Sequence, residues 1–159
     1  MEPKPIIKIQ GEDFIVKMED VTVDYIINRV HELYWEDDVN CARTMLICLS
    51  ELFKIPLEKQ AFYAAAGLHG AGGYRAQCGL VEGALMFIGI LCNEYGKTEN
   101  ETVLACYNYA SAFEKEFGSL RCFDLRPNGF SKEDPAHMCE KLTCRAVEFA
   151  YRYIAGSLK

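Results

Sequence analysis

Residues 78–95 read Cys-Gly-Leu-Val-Glu-Gly-Ala-Leu-Met-Phe-Ile-Gly-Ile-Leu-Cys-Asn-Glu-Tyr, and this stretch decides the fold. Folded as a helix, it carries apolar residues on nearly every side. A helix that is apolar all round is stable only when other elements bury it. We therefore predict a buried central helix from about Cys78 to Tyr95, with the rest of the domain packed around it.

Helices are also predicted after the central one. Gly96-Lys97 makes a turn, and the next helix runs from about Glu99 to Phe117, where Gly118 stops it. The segment that follows is irregular and contains Cys122. Asp134-Pro135 then combines a capping aspartate with proline at the first helical position, which predicts a last helix continuing to about Ala155.

Three helices are predicted before the central one. Apolar residues at a spacing of three and four indicate a helix from Asp20 to about Trp35. Asn40 is a good N-cap for a second helix that ends near Phe53. Pro56 opens a third, shorter helix that ends at the glycine-rich loop of residues 67–73.

The chain as a whole is predicted to be all-α, a single bundle of five to six helices. Residues 20–159 form one helical domain, since the chain has 159 residues, half of them apolar, which suits one core. Residues 1–19 form an N-terminal arm, in which apolar residues on both sides of Gly11-Glu12-Asp13 indicate a short extended segment or hairpin over residues 6–18.

Charge and hydropathy limit the classes of partner. The net charge is −6 and the chain has no basic stripe, which argues against binding to nucleic acid or to an anionic membrane surface. No run of eighteen apolar residues indicates a membrane span, and the first residues lack the apolar stretch of a signal peptide. We therefore expect a cytoplasmic protein.

Eight cysteines are many for such a compartment. Structural disulfides are rare where thiols are kept reduced, so free thiols, metal ligands and transient redox pairs remain as alternatives. The sequence contains no C-x-x-C, so it carries no local zinc-ribbon or thioredoxin motif. Any cysteine site must be assembled from distant segments.

Four of the cysteines have positions typical of reactive thiols. Cys41 and Cys78 fall in the first turns of predicted helices, Cys139 lies about one turn after a cap, and Cys122 follows a helix end in a loop. Unpaired N–H groups at a helix N-terminus lower a thiol pKa and stabilise the thiolate. The remaining cysteines fall within helical stripes, where a free thiol usually packs as a small apolar group. They are Cys48, Cys92, Cys106 and Cys144.

The spacing of two glycines also supports a site shared by several cysteines, although less specifically than the cysteine positions do. Gly79 and Gly83 lie one turn apart, which lets a neighbouring backbone approach the start of the central helix. This face either serves a site built from several segments or simply packs two helices tightly, and both interpretations can hold together. His69, in the preceding loop, is either a ligand or proton donor beside the thiols or a histidine without a role. The loop lacks both common nucleotide-binding patterns.

Taken together, these residues resemble a family named for its cysteine pattern, C_GCAxxG_C_C. Members carry a lone cysteine, then C-G-A-x-x-G, then two further single cysteines. Here the pattern maps onto Cys41, then Cys78 through Gly83, then Cys122 and Cys139, within about residues 38–155. Leu80 stands where the motif has alanine, a departure that could change how closely another helix approaches Cys78.

The resemblance implies redox activity without naming the reaction. The pattern is also similar to the non-haem domain of some multihaem cytochromes that carry an iron–sulfur centre. This implies that Cys41, Cys78, Cys122 and Cys139 are metal ligands that bind a [2Fe–2S] cluster or another thiophilic metal. We assign Gly79 and Gly83 to the same cofactor-binding site.

Three functions follow as hypotheses. The leading one is an electron-transfer protein with a four-cysteine metal site and a redox partner protein. The second is a thiol–disulfide enzyme or redox sensor, in which Cys78 is the catalytic nucleophile. The third is a metal-free helical interaction domain. Whether the chain is an enzyme stays open, and a second copy of the chain, forming a homodimer, is a further candidate partner.

Overall fold

The structure is a computed structural model that describes the backbone of residues 14–127 and 129–158, and side chains from residue 22 onward. The described part is mostly helical, which confirms the all-α prediction. Most of the predicted arm or hairpin, including Gly11-Glu12-Asp13, lies outside the described residues. The part of it that is described is helical instead, because the first helix begins at Phe14 rather than Asp20.

Seven right-handed α-helices occur in the described residues, slightly more than the five to six predicted. Their bounds are α1 Phe14–Trp35, α2 Cys41–Phe53, α3 Lys59–Ala64, α4 Gly79–Glu94, α5 Glu99–Phe117, α6 Cys122–Leu125 and α7 Glu140–Ser157. A 3-10 turn, Ala65–Gly67, follows α3. The additional helix is α6, a single turn in the segment expected to be irregular. Within the described ranges the chain forms no strand.

Capping residues explain the helices whose bounds were predicted well. The Asn40 side chain accepts a hydrogen bond from the backbone N–H of Arg43 at 3.0 Å and so starts α2. At the start of α5, Thr98 and Glu101 form a reciprocal capping box. Gly118 ends α5 with a φ of +89°, a conformation that glycine adopts without steric cost.

Helix α4 is the centre of the bundle, as predicted. It packs against α2, α5 and α7, and these helices together remove most of its apolar side chains from water. Burial of these side chains is the main favourable contribution to folding. The buried residues of α4 are Gly79, Leu80, Val81, Gly83, Ala84, Phe87, Ile88, Leu91 and Cys92. In the part of the chain that the structure describes, no helix has both the length and the apolar character needed to cross a membrane.

The predicted start of the last helix at Asp134-Pro135 is wrong. Asp134 caps a local turn instead, since its carboxylate accepts hydrogen bonds from the Ser131 backbone N–H at 2.9 Å and from the Arg126 side chain at 3.1 Å. His137 then adopts a φ of +59°, which an α-helix cannot contain. The helix therefore begins at Glu140, directly after Cys139.

The loop before α4 contains a left-handed turn. Residues 70–73 all have positive φ, at +63° for Gly70, +56° for Ala71, +68° for Gly72 and +84° for Gly73. Glycine at three of the four positions makes this turn sterically accessible. The turn reverses the chain between the 3-10 turn and α4, and it leaves Gly70 buried.

Candidate functional site

All four motif cysteines lie at helix N-termini. Cys41 is the first residue of α2 and Cys122 is the first residue of α6, whereas Cys78 and Cys139 are the N-caps of α4 and α7. Two of the predicted positions were therefore wrong in detail. Cys122 starts a short helix rather than lying in a loop, and Cys139 lies at a helix start rather than one turn inside.

Backbone pairing brings Cys78 and Cys122 together. The Cys78 N–H donates to the carbonyl of Leu120 at 2.8 Å, and the Cys122 N–H donates to the carbonyl of Ala76 at 2.7 Å. An isolated antiparallel bridge lies between these two hydrogen bonds. The starts of α4 and α6 are thereby fixed side by side.

The two motif glycines place Cys41 beside the start of α4. A Cβ atom at Gly79 would overlap the Cys41 Sγ atom and lie 2.9 Å from the Ala42 nitrogen. A Cβ atom at Gly83 would overlap the Ala42 carbonyl oxygen and lie 3.0 Å from the Cβ of Met45. The predicted close approach of a neighbouring backbone to α4 is confirmed. The same tight packing of α2 on α4 also positions the Cys41 thiol. The cofactor-binding role of the glycines stays a prediction.

Gly70 closes the site from the other side. A Cβ atom at Gly70 would lie 3.2 Å from the Cβ of Cys122 and 3.3 Å from its Sγ atom. The left-handed turn of residues 70–73 therefore packs directly on the α6 cysteine. This contact leaves little room for a side chain at position 70.

The four cysteines share one region: the close approach at Gly79 places Cys41 beside the start of α4, backbone pairing joins Cys78 to Cys122, and Cys41 and Cys139 line one cavity. Burial and, to a smaller extent, the charges of Cys78, Cys139 and Cys122 together raise the pKa of the Cys41 thiol to about 12. Like charges in a poorly solvated region disfavour ionisation of each group. Four segments that are distant in sequence thus converge at one end of the bundle.

Backbone N–H groups at the helix starts lower the pKa values of Cys41 and Cys78, as expected, but burial outweighs them and the net pKa values are raised. Burial raises the pKa of Cys78 to about 11, although the backbone N–H groups of Leu80 and Val81 act in the opposite direction. Burial also raises the pKa values of Cys122 and Cys139, against the lowering effect of Arg126. Desolvation exceeds the helix-terminus effect because the sulfurs are largely removed from water.

Alkylation of the reduced, metal-free protein is expected to follow these pKa values. A raised pKa keeps a thiol protonated and unreactive, so Cys41 and Cys78 should react little at pH 7 and progressively faster toward pH 11 and 12. Cys122 is half-buried and lies near Arg75 and Arg126, so it should react first. Mass spectrometry of iodoacetamide-labelled peptides at a series of pH values measures this order. Labelling of Cys41 as fast as Cys122 at pH 7 would contradict it.

A cavity of about 320 Å³ opens beside Cys41 and Cys139. Its wall includes Tyr34, His69, Arg126 and His137. The Nδ1 atom of His69 and the Nε atom of Arg126 are buried, and neither has a hydrogen-bond partner in the described part of the chain. His69 thus lies beside the thiols, as one of its two interpretations required.

Tyr34 is a neighbour of the site that the sequence analysis did not single out. Its hydroxyl is 2.6 Å from the Oγ1 atom of Thr143, and its ring stacks on His137 at a centroid distance of 5.2 Å. Burial raises its pKa, and the charges of Cys41 and Cys139 add to the shift. Tyr34 belongs to the apolar stripe of α1, so its position in the sequence indicated only core packing.

Metal-ligand geometry is not preformed. Among residues 22–127 and 129–158, no group of three or more His, Cys, Asp or Glu side chains is arranged to hold a metal ion. All eight cysteines are free. Two of those outside the motif, Cys48 and Cys92, are buried in the core, and Cys106 and Cys144 are half-buried.

Comparison with known proteins gives the family. A family model described as "Putative redox-active protein (C_GCAxxG_C_C)" matches residues 39–153. The chain belongs to this family. The matched range contains the four clustered cysteines and both motif glycines, so the C_GCAxxG_C_C pattern corresponds to a single region of the fold. Neither the curated proteins nor the solved structures gave a match.

Proposed function

We propose that Cys41, Cys78, Cys122 and Cys139 form one redox centre that binds an iron–sulfur cluster or another thiophilic metal and transfers electrons. The convergence of four helix N-termini, each carrying one of these cysteines, supports the proposal. Membership of a redox-active family supports it independently.

The donor set fits such a group chemically. Four thiolates are the usual ligands of a [2Fe–2S] or [4Fe–4S] cluster, and soft thiolates also select zinc and copper(I). Backbone N–H groups at helix N-termini offset negative charge on metal-bound sulfur. Because the described side chains are not arranged as a metal site, the thiols must turn toward one another when metal binds.

The residues of the chain have defined tasks in this function. The four cysteines would hold the metal, which supplies the one-electron chemistry when bound. Their raised thiol pKa values mean that protons must be displaced on binding, so affinity should fall as the pH decreases. Packing of α2 on α4 partly shields Cys41 from water, and the charge of Arg126 opposes the rise in the pKa values of Cys122 and Cys139.

Thiol–disulfide exchange is the second candidate, and backbone pairing of Cys78 with Cys122 favours it. Cys78 stays the predicted nucleophile, but burial raises its pKa to about 11, so only a small fraction is thiolate at neutral pH. That thiolate would attack one sulfur of a substrate disulfide, form a mixed disulfide and release one substrate thiolate. The Cys122 thiolate would then attack Cys78 Sγ and release the second substrate thiolate. Two electrons pass to the substrate, and a Cys78–Cys122 disulfide remains.

Anaerobic purification followed by metal and sulfide analysis tests the leading function. We expect about one cluster or metal ion per chain, with a visible absorption band if iron is bound. Absence of any metal, together with reversible oxidation of two thiols, would reject the metal centre and support thiol exchange. Absence of both signals would leave the interaction-domain hypothesis.

A further inference from the structure

Three arginines surround the Cys122 side of the site, and we call them the arginine rim: Arg75, Arg121 and Arg126. Arg75 and Arg121 are exposed, and Arg126 is partly buried. The rim is unusual for this chain, whose net charge is −6. A local positive surface on an acidic protein calls for a physical explanation.

Aromatic rings hold the arginine rim in place. Phe130 lies between two of its members, with its ring centroid 4.0 Å from the guanidinium carbon of Arg75 and 4.6 Å from that of Arg126. Phe123 stacks on Phe130 at 6.1 Å, and the Arg121 guanidinium lies 5.9 Å from the Phe123 ring. Cation–π contacts of this kind orient guanidinium groups without neutralising them.

The backbone of Arg75 adds to this positioning. Arg75 has a φ of +71°, which is sterically costly for a residue with a Cβ atom. Its carbonyl accepts a hydrogen bond from the Phe123 N–H at 3.2 Å, which ties the two segments together. Strained backbone of this kind persists where the surrounding structure holds it, and it concentrates at functional sites.

Among the described residues, one of the three arginines has an ion-pair partner. Arg126 is paired with Asp134 at 3.1 Å. Within the described residues, Arg75 and Arg121 make no ion pair, and the nearby Asp124 is hydrogen-bonded to Ser119 at 2.8 Å. Asp124 keeps its negative charge, since the Ser119 hydroxyl is neutral, so the three arginines exceed the carboxylates of Asp124 and Asp134 and leave a net positive charge at the rim.

The charges of the rim act on one cysteine of the proposed redox centre. The positive charges of Arg126 and Arg75 act on the Cys122 thiol and oppose the rise in its pKa. Exposed aromatic residues lie next to the rim, with Phe123 52% and Tyr74 85% accessible to solvent. Arginine and large aromatic residues are enriched in protein interfaces. The positive surface thus covers the part of the site nearest to Cys122.

We propose that the arginine rim is a docking surface for an acidic electron-carrier protein. The proposal rests on the proposed redox function and names the partner class for it. Complementary charge accelerates encounter and fixes the orientation of two proteins. Docking here places the carrier beside Cys122, so electrons enter or leave through this side of the centre.

Binding of an oxidised plant-type ferredoxin, measured by titration calorimetry with the anaerobically purified protein, tests the proposal. At low ionic strength we expect Arg75→Gln/Arg121→Gln to weaken binding about three- to tenfold. Salt at about 0.5 M should remove most of the difference, because screening is then strong. Lys54→Gln/Lys97→Gln is the matched control, since it removes the same charge near the C-terminal ends of α2 and α4, away from the site.

The outcomes separate this proposal from the redox function. Equal weakening by both double variants, or no binding of ferredoxin by the wild type, would overturn the docking surface even if metal is present. Tighter binding of a single-stranded oligonucleotide than of ferredoxin would also overturn it. Because calorimetry detects association without electron transfer, absence of metal would reject the redox centre but would not affect the binding result.

Discussion

Cys78→Ser is expected to abolish the metal centre. The sulfur of Cys78 lies at the start of the central helix, between the segments that carry Cys41 and Cys122. A serine hydroxyl is a poor ligand for a thiophilic metal. Replacing a residue that only hydrogen-bonds to a metal ligand already lowers metal affinity about 10- to 100-fold. Loss of a ligand should therefore lower affinity by at least about 100-fold, as measured by metal and sulfide content after anaerobic purification.

Cys106→Ser is the control for this experiment. Cys106 is a half-buried thiol outside the motif that packs against the core, and its Sγ atom donates a weak hydrogen bond to the Leu85 carbonyl at 3.9 Å. This variant should retain the metal content of the wild type. Full metal content in Cys78→Ser, or equal loss in both variants, would reject the shared four-cysteine site.

Gly83→Ala is expected to destabilise the protein by about 2 kcal/mol, within the usual range for overpacking. The added Cβ atom would overlap the Ala42 carbonyl oxygen, and a backbone oxygen in a helix has little freedom to move. Separation of α2 from α4 should also displace Cys41, which precedes Ala42. Chemical denaturation measures the stability, and metal content measures the effect on the site.

Gly89→Ala provides the comparison within the same helix. A Cβ atom at Gly89 would meet nothing within 4 Å. Alanine should therefore stabilise the protein by about 1 kcal/mol, through its higher helix propensity. If the two substitutions change stability equally, close packing at Gly83 is not the reason for glycine there.

Local sequence signals were sufficient to predict the helices whose ends are marked by a capping residue or a glycine. Helix α5 runs from Glu99 to Phe117 as predicted, because a capping residue precedes it and Gly118 ends it. The burial of α4 followed from its composition, since its many apolar side chains must be removed from water. The clustering of the cysteines at one bundle end is consistent with the mapped motif, although cysteine spacing alone could not predict it.

The start of the last helix was misplaced because its predicted capping residue has other hydrogen-bond partners. Asp134 was predicted to cap a helix, but its carboxylate bonds Ser131 and Arg126 instead. The pairing that fixes Cys122 beside Cys78 involves a single bridge, which is too short to produce an alternating pattern. The arginine rim depends on contacts with Phe123 and Phe130, which only the folded chain brings together.

Each cysteine of the site is either the first residue of a helix or the residue just before it. Helix ends open more readily than helix centres, and such local opening costs less free energy than global unfolding. The half-buried Cys139 can therefore be released transiently while Cys78 and the core around α4 stay in place. In the proposed metal centre, exchange of this ligand should accordingly occur on the timescale of fraying at the start of α7.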